Sequence, residues 1–327
     1  MLVLVGALLV GAVLTAVHHA EVLAHRLGEP YGSLLLAVAV TVIEVGMIMM
    51  LMTGGSHGAE SLARDTVFAA VMITCNGIAG LALLVGDLRH HAPRFRTEGT
   101  SSALATVAAL TGLTLVLPSF TTTTSGDTYA LSQLIFASVA SLVLWGGYVS
   151  SETGRHRDFF LPNEDPKATG HVDRPSKRES TWSLVLLLVA LVAVVGLAKV
   201  LSPSIEAGVA AAGLPHAVVG VVIAFVVLLP ESLAAYNNAT RNRVQVSLNL
   251  AYGSAIASIG LTIPTISIVA SVMGMPLILG LGDVHLVLLL LTLFVCVMTI
   301  AGGRATRVEA SVHLTILTAY VFLTAVP

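Results

Sequence analysis

The sequence predicts an all-α polytopic membrane protein of ten transmembrane helices, arranged as two inverted five-helix repeats. Three observations predict it: a composition too apolar for a water-soluble globule, ten stretches long enough to cross a bilayer, and a segregation of basic residues that fits ten crossings. The chain has 327 residues, 56% hydrophobic and 10% charged, with a mean hydropathy of +0.92. An ordinary soluble domain carries about 25% charged residues. A net charge of -2 leaves no basic surplus for a polyanion, which excludes nucleic-acid binding. Cys75 and Cys296 fall in separate apolar runs, with no C-x-x-C motif or disulfide framework, and read as small hydrophobes.

A helix needs about 20 apolar residues to cross about 30 Å of hydrocarbon. Stretches of that kind run approximately 1–17, 33–53, 65–86, 101–119, 129–149, 182–201, 215–237, 246–272, 284–302 and 310–326. The first starts at Met1 without a basic leader or a small-residue cleavage site and reads as a retained helix. The second lies between Gly28-Glu29-Pro30 and Gly54-Gly55, and the third ends before Pro93. Gly126-Asp127 separates the fourth from the fifth, and Pro203 is expected to end the sixth. The seventh holds Pro230, the eighth holds Pro264 and stops at Gly274 and Pro276, and Gly302-Gly303 parts the last two.

Connections 1-2, 3-4, 5-6, 7-8 and 9-10 carry fourteen of the sixteen Lys and Arg residues, leaving only Arg64 and Lys199 on the opposite side. The positive-inside rule therefore puts both termini outside the cytoplasm and the 151–181 connection within it. That connection, with Pro162, Pro166, Pro175 and mixed charges, reads as a flexible linker between residues 1–150 and 182–327.

The two halves share a pattern. Ala20-Glu21-Val22 precedes Leu27-Gly28-Glu29-Pro30, with Glu44 sixteen residues after Gly28; Ile205-Glu206-Ala207 precedes Ala212-Gly213-Leu214-Pro215, with Glu231 eighteen residues after Gly213. An apolar span with small and polar residues follows each acid, carrying Thr74, Asn76, Gly77 and Gly80 in one half and Asn249, Gly253, Ser254, Ser258 and Gly260 in the other. Five spans is an odd number, so the second copy enters the membrane from the opposite side. Inverted repeats of this kind build one midplane site where the two halves meet.

Sixteen of the eighteen acidic residues lie in connections or near span ends; Glu44 and Glu231 do not. A charged carboxylate at the bilayer centre costs about 3 kcal/mol on insertion scales, which makes both acids candidates for function. Two inward-facing carboxylates suit a desolvated hard cation, with neutral oxygens completing its shell. The candidates for those oxygens are Thr41, one turn before Glu44, then Thr74 and Asn76, and then Ser254 and Ser258, which share a helix face at a spacing of four. Each hydroxyl can instead bond a carbonyl of its own helix. With the site empty, desolvation and mutual repulsion favour protonated acids, so a cation must displace protons and the pair would run cation/proton exchange. Pro230, Pro264, Gly46, Gly77 and Gly80 are positions where helix backbone could open beside the site.

The run His19–Leu34, the span 2 glutamate, Arg64-Asp65-Thr66, Leu229-Pro230-Glu231, Val246-Ser247-Leu248-Asn249-Leu250, Gly253-Ser254 and Leu261-Thr262-Ile263-Pro264 together resemble the bacterial sodium(potassium)/proton and calcium/proton antiporters of the ChaA type, in the calcium/cation antiporter superfamily. The resemblance covers nearly the whole chain. It implies a sodium/calcium exchanger-like fold, a bacterial-type inner membrane location, and no cofactor beyond the transported calcium, sodium or potassium and protons. It also implies that Glu44 and Glu231 are the paired acids, that Asn76 and Ser258 occupy equivalent repeat positions, and that Ser254 belongs to the Gly-Ser of the second repeat. Many calcium/proton exchangers of the superfamily have Gly-Asn just before each acid, whereas Val40-Thr41 and Val227-Leu228 stand here. Fewer oxygens near the carboxylates leave room for sodium or potassium beside calcium. The superfamily often has an extra helix ahead of the ten-helix core, and this chain is expected to start without it, either as a short variant or as an N-terminal truncation.

Two other readings compete. His18, Glu21 and His25 fall at i, i+3 and i+7 and could hold zinc in a membrane-embedded hydrolase, although no H-E-x-x-H or G-x-S-x-G motif occurs. A monovalent cation channel would need a pore ring, which usually takes several subunits.

Overall fold

In hydrocarbon every backbone N–H and C=O must find a partner within its own segment, so the long apolar runs of this chain fold as helices. The computed structural model describes residues 2–28, 31–54, 58–154, 156–161 and 175–327. Glu29, Pro30 and Gly55 of the expected turns, and Pro162 and Pro166 of the linker, lie outside the described residues.

The first half comprises α1 (Leu2–Leu27), α2 (Tyr31–Met52), α3 (Leu62–Met72), α4 (Ala79–His90), α5 (Thr97–Thr111) and α6 (Leu131–Thr153). The second comprises α7 (Lys177–Ala211), α8 (Ala217–Val227), α9 (Leu229–Thr240), α10 (Val244–Ala257), α11 (Ile263–Met273), α12 (Asp283–Ala301) and α13 (Arg307–Ala325). No strand occurs among the described residues. Two of the spans are α-helices joined through a π turn: α3 and α4 through Ile73–Ile78, and α10 and α11 through Ser258–Thr262. Among the described residues nine helical stretches are long and apolar enough to cross a membrane, and α8 with α9, bent by 52° at Leu228, makes a tenth when counted as one broken span.

The expected break at Pro203 does not occur. α7 runs for 35 residues with Pro203 inside it, about 50 Å at 1.5 Å per residue. A neighbouring helix lets a membrane span tolerate a proline, and α1 packs along α7. The two are antiparallel, because His19 Nδ1 lies 3.3 Å from Ser183 Oγ and Arg26 near the end of α1 donates to the Pro175 carbonyl just ahead of α7. Ser176 starts α7 with a reciprocal cap, its hydroxyl accepting from Glu179 N and its own N–H donating to Glu179. Of the 151–181 segment, residues up to Thr153 continue α6, a short turn at Arg157–Phe159 seats Phe160 in the core, and Lys177 onward is α7.

Among the described residues the interior forms two apolar clusters. One joins α1, α2, α7 and α8 through residues such as Val13, Ile43, Ile48, Val194 and Ile223. The other joins α3–α5, α10, α12 and α13 through Phe68, Leu83, Leu110, Leu248, Leu289 and Tyr320. Cys75 and Cys296 are buried free thiols of the second cluster, as small hydrophobes would be.

Candidate functional site

Glu44 lies midway along α2 and is 2% exposed. The neighbouring Val42 faces outward while Ile43 is buried, so the glutamate sits on the inward side of an apolar helix. Both of its oxygens are held: Ser258 Oγ donates to Oε1 and Thr262 Oγ1 donates to Oε2, each at 2.6 Å. These hydroxyls stand at the two ends of the π turn, whose wider coil presents both to one carboxylate. Hydrogen bonds to an ionised acceptor are short and roughly twice as strong as neutral ones. The void beside Glu44 is about 10 Å³, whereas a water needs about 10–15 Å³ in this measure. Glu44 is therefore clasped on both oxygens, beside a void no larger than a single water.

Glu231 is held differently. The break at Leu228 and Pro230 starts a new helix, which puts Glu231 in the first turn of α9, where free N–H groups favour negative charge. Its Oε2 is sealed from solvent and has no hydrogen-bond partner among the described residues. The glutamate lines a cavity of about 290 Å³ bounded also by Ser254, Asn249, Trp145, Tyr148 and Glu152. Glu44 and Glu21 are both within electrostatic reach of Glu231. Val40, Ser254 and Ala257 line this cavity and the small void beside Glu44 alike, so they form the wall between the two acids.

The structure brings some of the sequence-derived oxygens to the acids and leaves others elsewhere. Ser258 reaches Glu44, and Ser254 lies between the two acids. Thr41 borders the void beside Glu44, but its hydroxyl bonds Ala37 O at 2.8 Å. Thr74 bonds Ala70 O at 2.8 Å and Val71 O at 3.1 Å within its own helix. The Asn76 amide is used in a buried network: Nδ2 donates to Thr292 Oγ1 at 2.9 Å, and His313 Nδ1 donates to Oδ1 at 3.1 Å. An amide oxygen only accepts, so His313 Nε2 accepts in turn from Thr299 Oγ1, at 3.0 Å. Tyr148 and His313 are polar groups that the sequence reading did not reach, and Thr262 entered it only as part of the resemblance, not as a site residue.

The zinc reading fails on geometry. His18 and Glu21 are exposed, the His18 ring stands edge-on to His19 at 5.2 Å, and among the described residues no three His, Cys, Asp or Glu side chains converge as a metal site. Of the glycines expected to loosen backbone, Gly77 lies within the π turn Ile73–Ile78, whereas Gly46 and Gly80 sit in regular α-helix at close contacts. A Cβ on Gly46 would lie 2.7 Å from Val195 Cγ2, and one on Gly80 would lie 2.9 Å from His313 Cβ.

An all-helical polytopic protein, with two carboxylates inside its spans and a cavity reaching one of them, has the form of a membrane cation transporter. The chain belongs to the sodium/calcium exchanger protein family, whose profile matches residues 1–153 and 182–326. It is 46% identical over 327 residues to a putative ionic transporter, y4hA, of Sinorhizobium fredii, a match spanning 100% of this chain and 89% of that one. It is 31% identical to the sodium-potassium/proton antiporter ChaA of Escherichia coli, over 98% of this chain and 87% of the relative. The fold matches the solved structure of native YfkE with a TM-score of 0.75 at 15% identity, covering 98% of this chain and 90% of that one. These relatives are transporters, so the protein is a multi-pass membrane transporter and not an enzyme.

Proposed function

We propose that the protein is a secondary active antiporter that exports cytoplasmic calcium, and sodium or potassium next, in exchange for protons by alternating access at Glu44 and Glu231. The observation that carries this reading is the unequal state of two intramembrane acids within electrostatic reach of each other: Glu44 is clasped on both oxygens beside a void no larger than a single water, and Glu231 lines a much larger cavity with one oxygen unpartnered among the described residues. Two such carboxylates carry protons or oxygen-coordinate a cation, and low-dielectric surroundings favour whichever partner cancels their charge. If only neutralised states cross between the two faces, cation and proton movements are coupled in opposite directions. Ser254, Ser258 and Thr262 are placed to lend neutral oxygens. The sodium-potassium/proton antiport of the Escherichia coli relative and the Ca2+/H+ antiport of a 22% identical relative from Aphanothece halophytica support both halves of the exchange.

In this reading residues 1–150 and 182–327 are inverted repeats joined by a cytoplasmic 151–181 linker. The protein lies in the bacterial inner membrane with both termini outside the cytoplasm. Everted vesicles carrying the protein should release protons when calcium, sodium or potassium is added, calcium giving the largest response. Glu44→Gln and Glu231→Gln should each abolish the release, since an amide neither carries the proton nor balances the cation's charge. Full exchange in either variant, or no response to any of the three cations, overturns the mechanism.

A further inference from the structure

One residue lining the cavity beside Glu231 carries a second orphaned polar atom. Tyr148, on α6, is 6% exposed, and its phenol oxygen is sealed without a hydrogen-bond partner among the described residues. Leaving a buried polar group unpaired costs about 1–3 kcal/mol. Here two such atoms, Tyr148 Oη and Glu231 Oε2, belong to residues lining one chamber of about 290 Å³. The chamber is roomy and its walls are mainly apolar, and Glu231, Glu152, Tyr148, Asn249 and Ser254 supply the polar groups on which a water or a hydrated ion is held, whereas purely apolar voids stay dry. Local packing fixes the phenol: its ring meets Phe160 edge-on at 5.8 Å, and a Cβ on Gly253 would come to 3.8 Å from Oη, so the bare glycine keeps that side open. Glu152 lies four residues beyond Tyr148, on the same face of α6, lines the same chamber and acts electrostatically on Tyr148.

We propose that Tyr148 and Glu152 form, with Glu231 Oε2, an outlying station that receives a partly hydrated metal cation on its way to Glu44. The station rests on the antiport reading above, because Glu231 belongs to both. Glu152, near the end of α6, supplies the charge, and the apolar walls from Trp145, Val149 and Leu250 focus its field and raise the local cation concentration. Tyr148 supplies a neutral oxygen that replaces one water of hydration without adding a charge that would trap the ion. The wall of Val40, Ser254 and Ala257 then separates the waiting ion from the clasped Glu44. Leu36, Glu152 and Val246, which line the chamber, lie near helix ends beside the basic connections, so the station serves cations arriving from that face.

The test is exchange measured with the cation presented on either face, in everted and in right-side-out vesicles, for Tyr148→Phe, Glu152→Gln and Glu231→Gln. Tyr148→Phe keeps the ring and its packing on Phe160. Both α6 variants should raise the cation KM about threefold to tenfold from the cytoplasmic face, with maximal rate held within about twofold. The KM from the opposite face should stay unchanged, and the Glu152→Gln effect should shrink as ionic strength rises. An unchanged KM in either α6 variant, or equal shifts from both faces as a purely structural role would give, overturns the station while Glu231→Gln remains inactive. Full exchange by Glu231→Gln overturns the antiport reading and the station with it.

Discussion

Ser258 and Thr262 hold opposite oxygens of one carboxylate, and the strength of that clasp can be read by removing each donor. A hydrogen bond to a charged group contributes about 1.5–3 kcal/mol, so Ser258→Ala or Thr262→Val should lower the kcat/KM of exchange roughly tenfold to a hundredfold. The double variant should lose less than the product of the single losses, because both donors address the same group. Wild-type exchange kinetics in both single variants would reduce the clasp to packing. The two acids were legible in the sequence because a carboxylate within an apolar run is costly there and stands out. Thr262 was within reach of the same reasoning, since it extends the spacing of four that joins Ser254 to Ser258. Thr41 and Thr74 were not, because any helical hydroxyl can turn to the carbonyl one turn back and sequence does not record which way it turns. Asn76 was assigned to the cation shell on residue type, but its amide is taken by His313, 237 positions away.

Helices that must lie close are limited by their smallest residues. Gly220 on α8 meets α3, and a Cβ there would stand 2.9 Å from both Asp65 C and Thr66 N, which are backbone atoms that cannot swing aside. Replacing glycine by alanine in a helix interior ordinarily gains about 1 kcal/mol. Forcing atoms into a filled contact costs about 1–3 kcal/mol. Gly220→Ala should therefore be net destabilising and lower the melting temperature of the detergent-purified protein. Gly208→Ala on α7, with nothing within 4 Å of the added carbon, should hold or raise it. A Gly220→Ala protein as stable as wild type would show that α3 and α8 can move apart freely. Broken elements were only partly legible from the chain. Pro230 marked the break before α9, because proline cannot donate to the preceding turn. The π turns at Ile73–Ile78 and Ser258–Thr262 were marked only by Gly77 within the first and Pro264 just after the second; their form depends on an extra residue in a turn and on the partners it reaches.

At the scale of the whole molecule, backbone and side-chain contacts sort the connections into two ends. At one end Phe95 N bonds Gly303 O, Arg96 N bonds Gln245 Oε1, Asn249 Nδ2 bonds Phe160 O, and Arg26 reaches the Pro175 carbonyl. At the other, Ile278 N bonds Glu60 O, Gly280 N bonds Asp127 O, and Leu281 N bonds Leu115 O. The count of ten crossings was legible because hydropathy adds up over some 20 residues, so small boundary errors cancel. The ends were legible because basic residues concentrate in alternate connections, and the contacts gather those connections together. Continuity through Pro203 was not legible, since it depends on α1 packed alongside. If the basic end faces the cytoplasm, a membrane-impermeant maleimide should distinguish single cysteines placed at the exposed Ser125 and Arg241. The native Cys75 and Cys296 are fully buried and should stay silent in both backgrounds. Ser125→Cys should label in intact cells, and Arg241→Cys only after the membrane is opened. The reverse pattern would invert the whole protein in the bilayer, and with it the face from which the Glu231 cavity is filled.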